Sequence, residues 1–460
     1  MRNQFNLSHE HKTACDMGEL IPVMCKEVLP GDTFLHSASA LTRVSPLQHP
    51  LMHRVELRLH TFYVPNRILW SGWEDFITGK NTTDPKPMYT TLQNERLLDY
   101  MGIPPIAGLE VDQAPLQAYN LIYNDFYRDQ DLQAERDLLD TSVARCAWQK
   151  DYFTIARPQP QQGDPVDIPI QGLGGIYGTN SATPTNIDLE LRKAPADDRY
   201  FSVSSPGGEV DEFEVRFQDG SISIDDFRRS MALQRFAEAR MRFGSRYIDY
   251  LRYIGVNPSD GRLDRPEYLG GGKENLAFSE VLTTAQVPDH NVGEMFGHGI
   301  ALGRANGYRK MFEEHGWVMT LLSARPKTVY QNALPRQFTR LTAMDYWQKE
   351  LEVLPWQEVP ESEIFAGGDA SSVWGYVPRY EEYRHGVSHV SGSLRGGTEN
   401  DWHMAREFNN TPALNGSFVE CTPTERIYQD ADQPDLIVNV MHNLQARRFV
   451  GSTATMGQDI

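Results

Sequence analysis

The stretch HPLMHRVELRLHTFYVPNR, from His49 to Arg67, has the alternation of a β-strand. Val55, Leu57 and Leu59 share one parity, and charged or histidine side chains occupy the positions between and after them. Successive side chains of a strand point to opposite faces of its sheet. The pattern therefore predicts a half-buried strand whose apolar face lies on a core.

The same stretch carries three histidines, which raises the alternative of a metal centre. His53 and His60 have opposite parity, and His49 precedes Pro50, which holds it outside the strand. Zinc requires ligands that converge at bonding distance. We therefore expect solvated or hydrogen-bonded histidines on a strand, and a metal-dependent enzyme is kept as a rival interpretation.

The size of the chain limits its architecture. It has 460 residues, of which 40% are hydrophobic and 10% aromatic, as in a folded globular protein. A single core usually stops growing near ~250–300 residues. We therefore expect either two domains or one core with large insertions, and the 36 glycines and 28 prolines favour many turns.

Charge and cysteine content exclude several classes of protein. With 44 Lys and Arg against 62 Asp and Glu, the net charge is −18. Such a chain does not bind nucleic acid through its overall field, so that role needs a local basic patch or a basic partner. Four cysteines without CxxC spacing do not form a disulfide framework, which favours a reducing, cytoplasmic place of folding. The sequence shows no apolar signal-peptide core and no membrane-length apolar run.

Two helices stand out. The first follows Asp112, a candidate cap, and its apolar side chains recur at helical spacing: Leu116, Tyr119, Tyr123 and Phe126. Nearby carboxylates, Asp125, Asp129 and Asp131, are better explained by a solvated face than by an acid–base pair in a cleft. The second helix is expected from Asp225 to Gly255 and is locally basic, although arginine stems packing beside acidic partners explain it without nucleic acid.

The remaining texture indicates terminal arms and insertions, and it leaves open whether the chain has one core or two. Residues 1–16 are expected to form an N-terminal arm and residues 444–460 a C-terminal arm. Residues 158–221, rich in Pro, Gly, Ser and Thr, predict a surface-exposed insertion, and residues 225–255 a helical insertion. The GLGGIYG segment lacks the strand–turn–helix context of a dinucleotide loop and is assigned to exposed loop.

Sequence motifs give no sign of catalysis. The chain has no GxSxG, HExxH, Walker or EF-hand pattern. His385 and His389 are four residues apart, but Gly386 and the neighbouring valines favour a strand or turn over a zinc-binding helix. We predict no enzyme and no cofactor. Calcium is left open, because carboxylates at subunit contacts bind it without a local motif.

The order of several blocks resembles the major capsid protein of Microviridae, the small icosahedral phages with circular single-stranded DNA. The blocks run in one collinear order from about Phe5 to Phe408: GELIPVMCKEVLPGDTF, HTFYVPNRILWSGWEDFITG, YNLIYNDFYRDQDL, KDYFTIARPQPQQGDPVDIPI, YIDYLRYIGVNPSDGRLDRPEYLGGG, EHGWVMTLLSARPKTVY, WGYVPRYEEYRHGVSHVSGSLR and WHMAREF. The resemblance implies a mainly β protein, an eight-stranded antiparallel viral jelly roll with long inter-strand insertions that contain a few helices. Copies would form a T=1 shell with one chain in each asymmetric unit.

The resemblance also implies partners and a location. They are copies of the chain itself, a small basic DNA-packaging protein, an internal scaffolding protein, a DNA pilot protein, the encapsidated single-stranded DNA and a host cell-surface receptor, with no membrane. The protein would be assembled in the host bacterial cytoplasm and reside in the virion. Arg2, Lys12, Arg447 and Arg448 are candidate nucleic-acid-facing residues.

Two departures and one rival accompany the resemblance. The gokushovirus branch, which the blocks resemble closely, has a long insertion that protrudes at the threefold axes. The corresponding region here, about Thr179 to Ser221, is modest, and the C-terminus lacks that branch's Pro/Gly-rich ending. The rival is a jelly-roll glycan- or receptor-binding protein. Its stacking residues would be Trp374, Tyr376, Tyr380 and Tyr383, which core or interface packing also explains.

Overall fold

The computed structural model describes residues 2–80, 85–163, 174–178, 189–193, 199–203, 213–217, 224–244, 246–282 and 295–451. The strands are β1 Asn3–Asn6, β2 His9–Cys15, β3 Leu20–Val28, β4 Thr33–Val44, β5 Val55–Pro65, β6 Met88–Thr90, β7 Glu110–Asp112, β8 Gly174–Gly178, β9 Leu189–Lys193, β10 Arg199–Val203, β11 Phe213–Phe217, β12 Glu267–Asn275, β13 Ala277–Leu282, β14 Met295–Arg304, β15 Tyr308–Met311, β16 Gly316–Pro326, β17 Trp356–Pro360, β18 Val373–Pro378 and β19 Leu436–Arg448.

Among the described residues the α-helices are fewer than the strands, and all except α5 have at most nine residues. The α-helices are α1 Asn66–Leu69, α2 Trp73–Ile77, α3 Arg96–Tyr100, α4 Ala114–Ile122, α5 Ile224–Phe243, α6 Tyr247–Tyr253, α7 Glu361–Ile364 and α8 Gly416–Val419. One π-helical turn, Tyr123–Tyr127, continues α4. Turns of 3₁₀-helix are Asp260–Leu263, Arg336–Phe338, Ala343–Asp345, Lys349–Val353, Glu381–Tyr383, Gly392–Leu394 and Asn400–Trp402. No described helix is long and apolar enough to cross a bilayer.

The larger of two compact units comprises Met1–Pro160 and Phe243–Ile460, and it holds two large antiparallel sheets beside the short pairs β6–β7 and β17–β18. In the seven-stranded sheet, β1 and β2 pair with successive parts of β19, and β19 pairs with β4. On its other side β4 pairs with β14 and β15, and β13 pairs with β14. The four-stranded sheet has the order β12–β5–β16–β3. β1 and β2 share one position beside β19, and β14 and β15 share one position beside β4. The expected count of eight strands is therefore not confirmed strand for strand.

The two sheets enclose a common apolar core. Leu57 and Leu59 of β5 are buried there with Ala40 of β4 and with Val438 and Val440 of β19. The alternation read from the sequence of β5 therefore places its apolar face against that of β19. Each fully buried aliphatic side chain contributes about 1.5–3 kcal/mol. This arrangement confirms a mainly β, antiparallel sandwich with few helices.

A layer of helices covers the other face of the four-stranded sheet. Phe62 of β5 and Leu321 of β16 pack there with Leu116 and Tyr119 of α4. The Tyr119 hydroxyl donates to the carbonyl oxygen of Leu20 at 2.7 Å, which joins α4 to the sheet. The predicted apolar stripe of this helix is therefore confirmed. Since α4 packs on this face, the sheet surface that stays open among the described residues is the outward face of the seven-stranded sheet.

The two predicted arms are wrong for most of the residues described. Asn3–Asn6 and His9–Cys15 form strands on β19, with His9 opposite His442. Likewise Leu444–Arg448 belongs to β19 and not to a C-terminal arm. The physical reason is that an edge strand with one solvated face needs no apolar alternation, because its backbone ladder supplies the pairing. Residues 452–460 lie outside the described residues.

The helix predicted from Asp225 to Gly255 is not continuous. It ends at Phe243, and α6 begins at Tyr247. Gly244, between them, has φ +108°, which a right-handed helix does not accept. A Cβ at this position would lie 2.4 Å from the side-chain nitrogen of Gln130, which would have to move aside.

The second compact unit comprises Gln161–Arg242. It contains two antiparallel strand pairs, β8 with β11 and β9 with β10, followed by most of α5. It therefore includes most of the insertion predicted at residues 158–221. The segments of that insertion between its strands, including most of the region considered for a threefold protrusion, lie outside the described residues.

Candidate nucleic-acid interface

Three of the four predicted basic residues lie on one surface. We call it the open face: the side chains of the seven-stranded sheet that point away from the core. Arg447 is opposite Gln4 of β1 and Thr33 of β4, and Lys12 of β2 is opposite Asn439. Residues paired in this way share a face. Arg2 precedes β1, and its guanidinium lies 3.8 Å from the sulfur of Met311.

Arg448 does not belong to this surface. Alternation along β19 directs it to the core side, where its Nε lies 2.9 Å from a carboxylate oxygen of Asp32. The guanidinium also donates to the Glu27 carbonyl oxygen at 2.8 Å and lies over the ring of Phe34. Its side chain is only 20% exposed. These contacts leave Arg448 less available to a nucleic acid than Arg447, and its contact with a nucleic acid stays a prediction.

Three further arginines occupy the open face and were not singled out from the sequence. Arg43 lies at the end of β4, Arg304 is opposite Ser39, and Arg309 is opposite Leu35. All three are exposed. Arg43 and Arg304 have no basic neighbour and Arg309 has only Lys310 beside it, so no basic run marks them. Only the cross-strand register of β4, β14 and β15 brings them together, although alternation within β4 already indicated an exposed Arg43.

The histidines of the opening stretch have separate partners. His60 Nδ1 lies 2.8 Å from the hydroxyl of Tyr127, and His53 Nε2 lies 2.7 Å from the carbonyl oxygen of Lys327. Burial lowers the pKa of each of these two histidines to about 4. His49 Nδ1 lies 2.8 Å from Asp401. Within the described residues no three metal-ligating side chains converge, so these imidazoles serve packing and hydrogen bonding.

The acidic cluster after α4 is paired. The carboxylate of Asp129 lies 2.5 Å from Lys150 and 3.2 Å from Arg157, and Asp131 lies 3.1 Å from Arg157. Burial raises the pKa of Asp129, but the two cations outweigh burial, so the pKa falls below its ordinary value. The prediction of a solvated face is wrong for Asp129, which is buried as part of an ion-pair network. This arrangement holds the carboxylate ionised and stabilises the loop.

A cavity of about 520 Å³ is lined by Arg336, Glu363, Tyr152 and neighbouring residues. Glu363 is buried, and burial raises its pKa. The Nε of Arg336 donates to it at 2.6 Å and the hydroxyl of Tyr152 at 2.9 Å. These groups satisfy one another, which is typical of a structural network.

The aromatic residues considered for sugar stacking lie mainly inside the protein. Trp374 is 8% exposed and packs edge-on against Phe418, and Tyr380 is 4% exposed. Tyr383 is exposed, but the guanidinium of Arg340 covers its ring at 4.6 Å. The arrangement leaves no row of open rings for a sugar among these residues.

Fold and surface together define a structural protein: an antiparallel sandwich with one uncovered basic sheet face. The family described as "Capsid protein (F protein)" matches residues 1–457. The chain is 30% identical to capsid protein VP1 of Chlamydia phage 1, covering 97% of this chain and 94% of that protein. It is 31% identical to capsid protein VP1 of Bdellovibrio phage phiMH2K, covering 95% and 91%. Capsid protein VP1 of Spiroplasma virus 4 is 25% identical over 99% of this chain.

The chain belongs to the capsid protein (F protein) family, and its relatives are gokushovirus-type Microviridae capsid proteins. Membership confirms the resemblance found in the sequence and a structural role as a component of the virion. It also confirms that the chain is not an enzyme, since the relatives are named as capsid proteins. The alignment with the Chlamydia phage protein spans 559 residues, which exceeds the 460 of this chain by 99, so that relative carries segments that this chain lacks.

Proposed function

We propose that this protein is the major capsid protein of a T=1 icosahedral shell, with one chain in each asymmetric unit, that encloses a circular single-stranded DNA genome. The observation that carries the proposal is the family match over residues 1–457. The antiparallel sandwich supports it, because a shell built from one repeated subunit needs a rigid core and several self-complementary surfaces.

A fixed apolar segment supports contacts between copies. Residues 336–354 expose large apolar side chains, with Leu341 at 93% and Val353 at 82%. Short 3₁₀ turns hold this segment, and the backbone N–H of Gln348 donates to the hydroxyl of Tyr380 at 2.9 Å. Exposed apolar surface of this kind marks interaction sites, and burying each such side chain contributes about 1.5–3 kcal/mol.

The other proposed partners follow from charge and family. At −18 this chain cannot neutralise a genome by its net charge, so we include a small basic DNA-packaging protein inside the shell. The proposal keeps the internal scaffolding protein, the DNA pilot protein and a host receptor. It places assembly in the host bacterial cytoplasm, and the four free cysteines fit a reducing compartment. The proposal includes no cofactor, and calcium between copies stays open.

Electron microscopy of purified particles tests this function. We expect closed shells of uniform size that protect a DNA from nuclease, and that DNA should be single-stranded and circular by exonuclease resistance. The double variant L341D/V353D should lower the yield of shells at least tenfold, whereas L341M/V353I should assemble normally. A chain that stays monomeric and is retained on a glycan column would instead support the glycan-binding rival.

A further inference from the structure

The open face concentrates positive charge on an acidic protein. Its cations are Arg2, Lys12, Arg43, Arg304, Arg309 and Arg447. The carboxylate at its described outward positions is that of Glu10, which lies 2.8 Å from Lys12. Because the whole chain has a net charge of −18, this face differs in sign from the average surface. A local cationic surface is the feature that phosphate binding requires.

The register of β4 arranges these cations as a track. Arg447 is level with Thr33, Arg309 with Leu35, and Arg304 with Ser39, while Arg43 lies at the far end. At about 3.3 Å per residue, the ten residues between the first and last levels span about 33 Å. Neighbouring strands are ~4.8 Å apart, so the track is only a few strands wide. Its dimensions suit one extended nucleic-acid strand.

The arginines of this track are available to a ligand. In the described part of the chain, none of Arg43, Arg304, Arg309 and Arg447 has a carboxylate within ion-pair distance. Several arginines elsewhere are paired: Arg265, for example, lies 3.2 Å from Asp125. An arginine without a carboxylate partner gains more from a phosphate, which accepts two parallel hydrogen bonds from its guanidinium.

The side chains between the cations favour backbone contact over base readout. They are amides, among them Gln4, Asn6, Asn443 and Gln445, and aliphatic chains, among them Leu35, Leu41, Leu302 and Ile437. Among the described side chains of the face, Phe449 supplies an exposed aromatic ring, at one end, with Arg2 stacked on it at 4.7 Å. Aromatic platforms are what hold bases in single-strand binders. Binding here therefore depends mainly on phosphates.

We propose that the open face is the genome-contacting wall of the shell, and that it binds single-stranded DNA through backbone phosphates with little base preference. This rests on the proposed function. The side of the subunit that faces the genome follows from the side that helices cover. α4 packs on the outer surface of the four-stranded sheet, so among the described residues the open face is the sheet surface left for the genome. The contacting residues are Arg43, Arg304, Arg309 and Arg447, flanked by Lys12.

Salt-dependent binding to single-stranded DNA tests the proposal. Unassembled full-length protein is titrated against labelled twenty-nucleotide oligo-dT and oligo-dA at a series of salt concentrations. For single strands the slope of log K against log salt is about −0.7 per phosphate contact, so R43Q/R304Q/R309Q/R447Q should reduce it by about 3. The two oligonucleotides should bind within about threefold of one another, since stacking contributes little.

A matched control separates local from overall charge. The variant R54Q/R252Q/R262Q/R395Q removes the same charge at exposed positions away from the open face, and its slope should stay within 1 of the wild-type slope. Equal slopes for the two quadruple variants would overturn the proposal, as would a wild-type protein that does not bind at low salt. Unchanged thermal melting of both variants confirms that they fold.

Packaging by the same variants distinguishes this proposal from the proposed function. If wild-type shells contain DNA and the open-face variant packages as much DNA as the control, the genome-contacting role fails and the capsid function stands. If the wild-type chain forms no DNA-containing shell, the proposed function fails. Ultraviolet crosslinking of filled particles should recover DNA on peptides from residues 33–43, 302–311 and 439–449.

Discussion

His36 and His442 form a hydrogen bond of 3.1 Å, from Nε2 to Nδ1, inside the sandwich. His442 Nε2 lies 3.1 Å from the carbonyl oxygen of Val23, and a carbonyl only accepts. His442 therefore donates from Nε2 and accepts at Nδ1, and His36 donates from Nε2. His9 of β2 stacks on His442 with ring centroids 5.0 Å apart. These two hydrogen bonds join β4 and β19 of one sheet to β3 of the other, and both imidazoles are neutral in this arrangement.

We predict that the subunit loses stability below neutral pH. Burial lowers the pKa of His36 to about 4 and of His442 to about 3, against about 6.5 when unfolded. The unfolded chain therefore binds protons first, and each histidine removes about 1.4 kcal/mol per pH unit as pH falls from about 6.5 toward its folded pKa. His53 and His60 act in the same direction, while burial raises the pKa of Asp435 to about 7, which acts in the opposite direction.

The variant H442Q isolates one of these histidines, because glutamine can still donate to the Val23 carbonyl. In urea unfolding of the unassembled subunit, the stability difference between wild type and H442Q should shrink by about 1.4 kcal/mol per pH unit between pH ~6 and ~4. H389Q, at an exposed position, should leave the pH profile unchanged. A constant difference between wild type and H442Q would contradict the assignment of His442 as buried and neutral.

Gly18 should not tolerate a side chain. It has φ +86°, and a Cβ would lie 2.1 Å from the carbonyl oxygen of Cys421. We expect Gly18→Ala to cost more than about 4 kcal/mol in the free energy of unfolding, or to prevent folding. Gly79 has φ +71° with open space around it, so Gly79→Ala should cost only the left-handed strain of about 1–2 kcal/mol. Thermal and urea unfolding measure both variants. Equal losses of stability for Gly18→Ala and Gly79→Ala would show that the left-handed backbone, and not the contact with Cys421, determines the cost.

Removing the buried carboxylate of Asp129 should destabilise the subunit. Lys150 and Arg157 would lose their shared partner, but Arg157 keeps Asp131 and Lys150 is 47% exposed, so the expected cost is about 1–3 kcal/mol. Asp75 provides the comparison, because it is exposed and lies 3.7 Å from Lys80. Asp75→Ala should change stability by less than about 1 kcal/mol. Urea unfolding of both variants measures the difference, and similar values would contradict the buried network.

The N-terminal residues should be protected from hydrogen exchange as a strand. Asn3–Asn6 and His9–Cys15 pair with β19, so the amides that face β19 should exchange slowly in the unassembled subunit. Residues 430–433, an exposed turn, provide the fast reference. Mass spectrometry of exchanged peptides separates the two. Exchange of residues 3–15 as fast as the turn would restore the free arm expected from the sequence.

Local patterns predicted the elements that bury a continuous apolar face. The alternation of Val55, Leu57 and Leu59 indicated β5, and the stripe of Leu116 and Tyr119 indicated α4. The N-terminal strand was missed because its residues are polar and its pairing comes from β19, more than 400 residues away. Long-range pairing of this kind leaves no local signal.

The basic track was only partly visible in the sequence for the same reason. Arg2, Lys12 and Arg447 were selected as terminal charges, and the structure places them on one face. Arg304 and Arg309 join them through the register with β4, and Arg448 leaves the set because one step along a strand reverses the face. The alternation of side chains along a strand could have placed Arg447 and Arg448 on opposite faces, but only after β19 was known to extend to Arg448.

A cryo-electron microscopy reconstruction of filled particles tests the central claim most directly. We expect a T=1 shell in which the seven-stranded sheet lines the interior, with density for nucleic acid beside Arg43, Arg304, Arg309 and Arg447. A particle whose open face points outward, or a chain that forms no closed shell, would contradict the account.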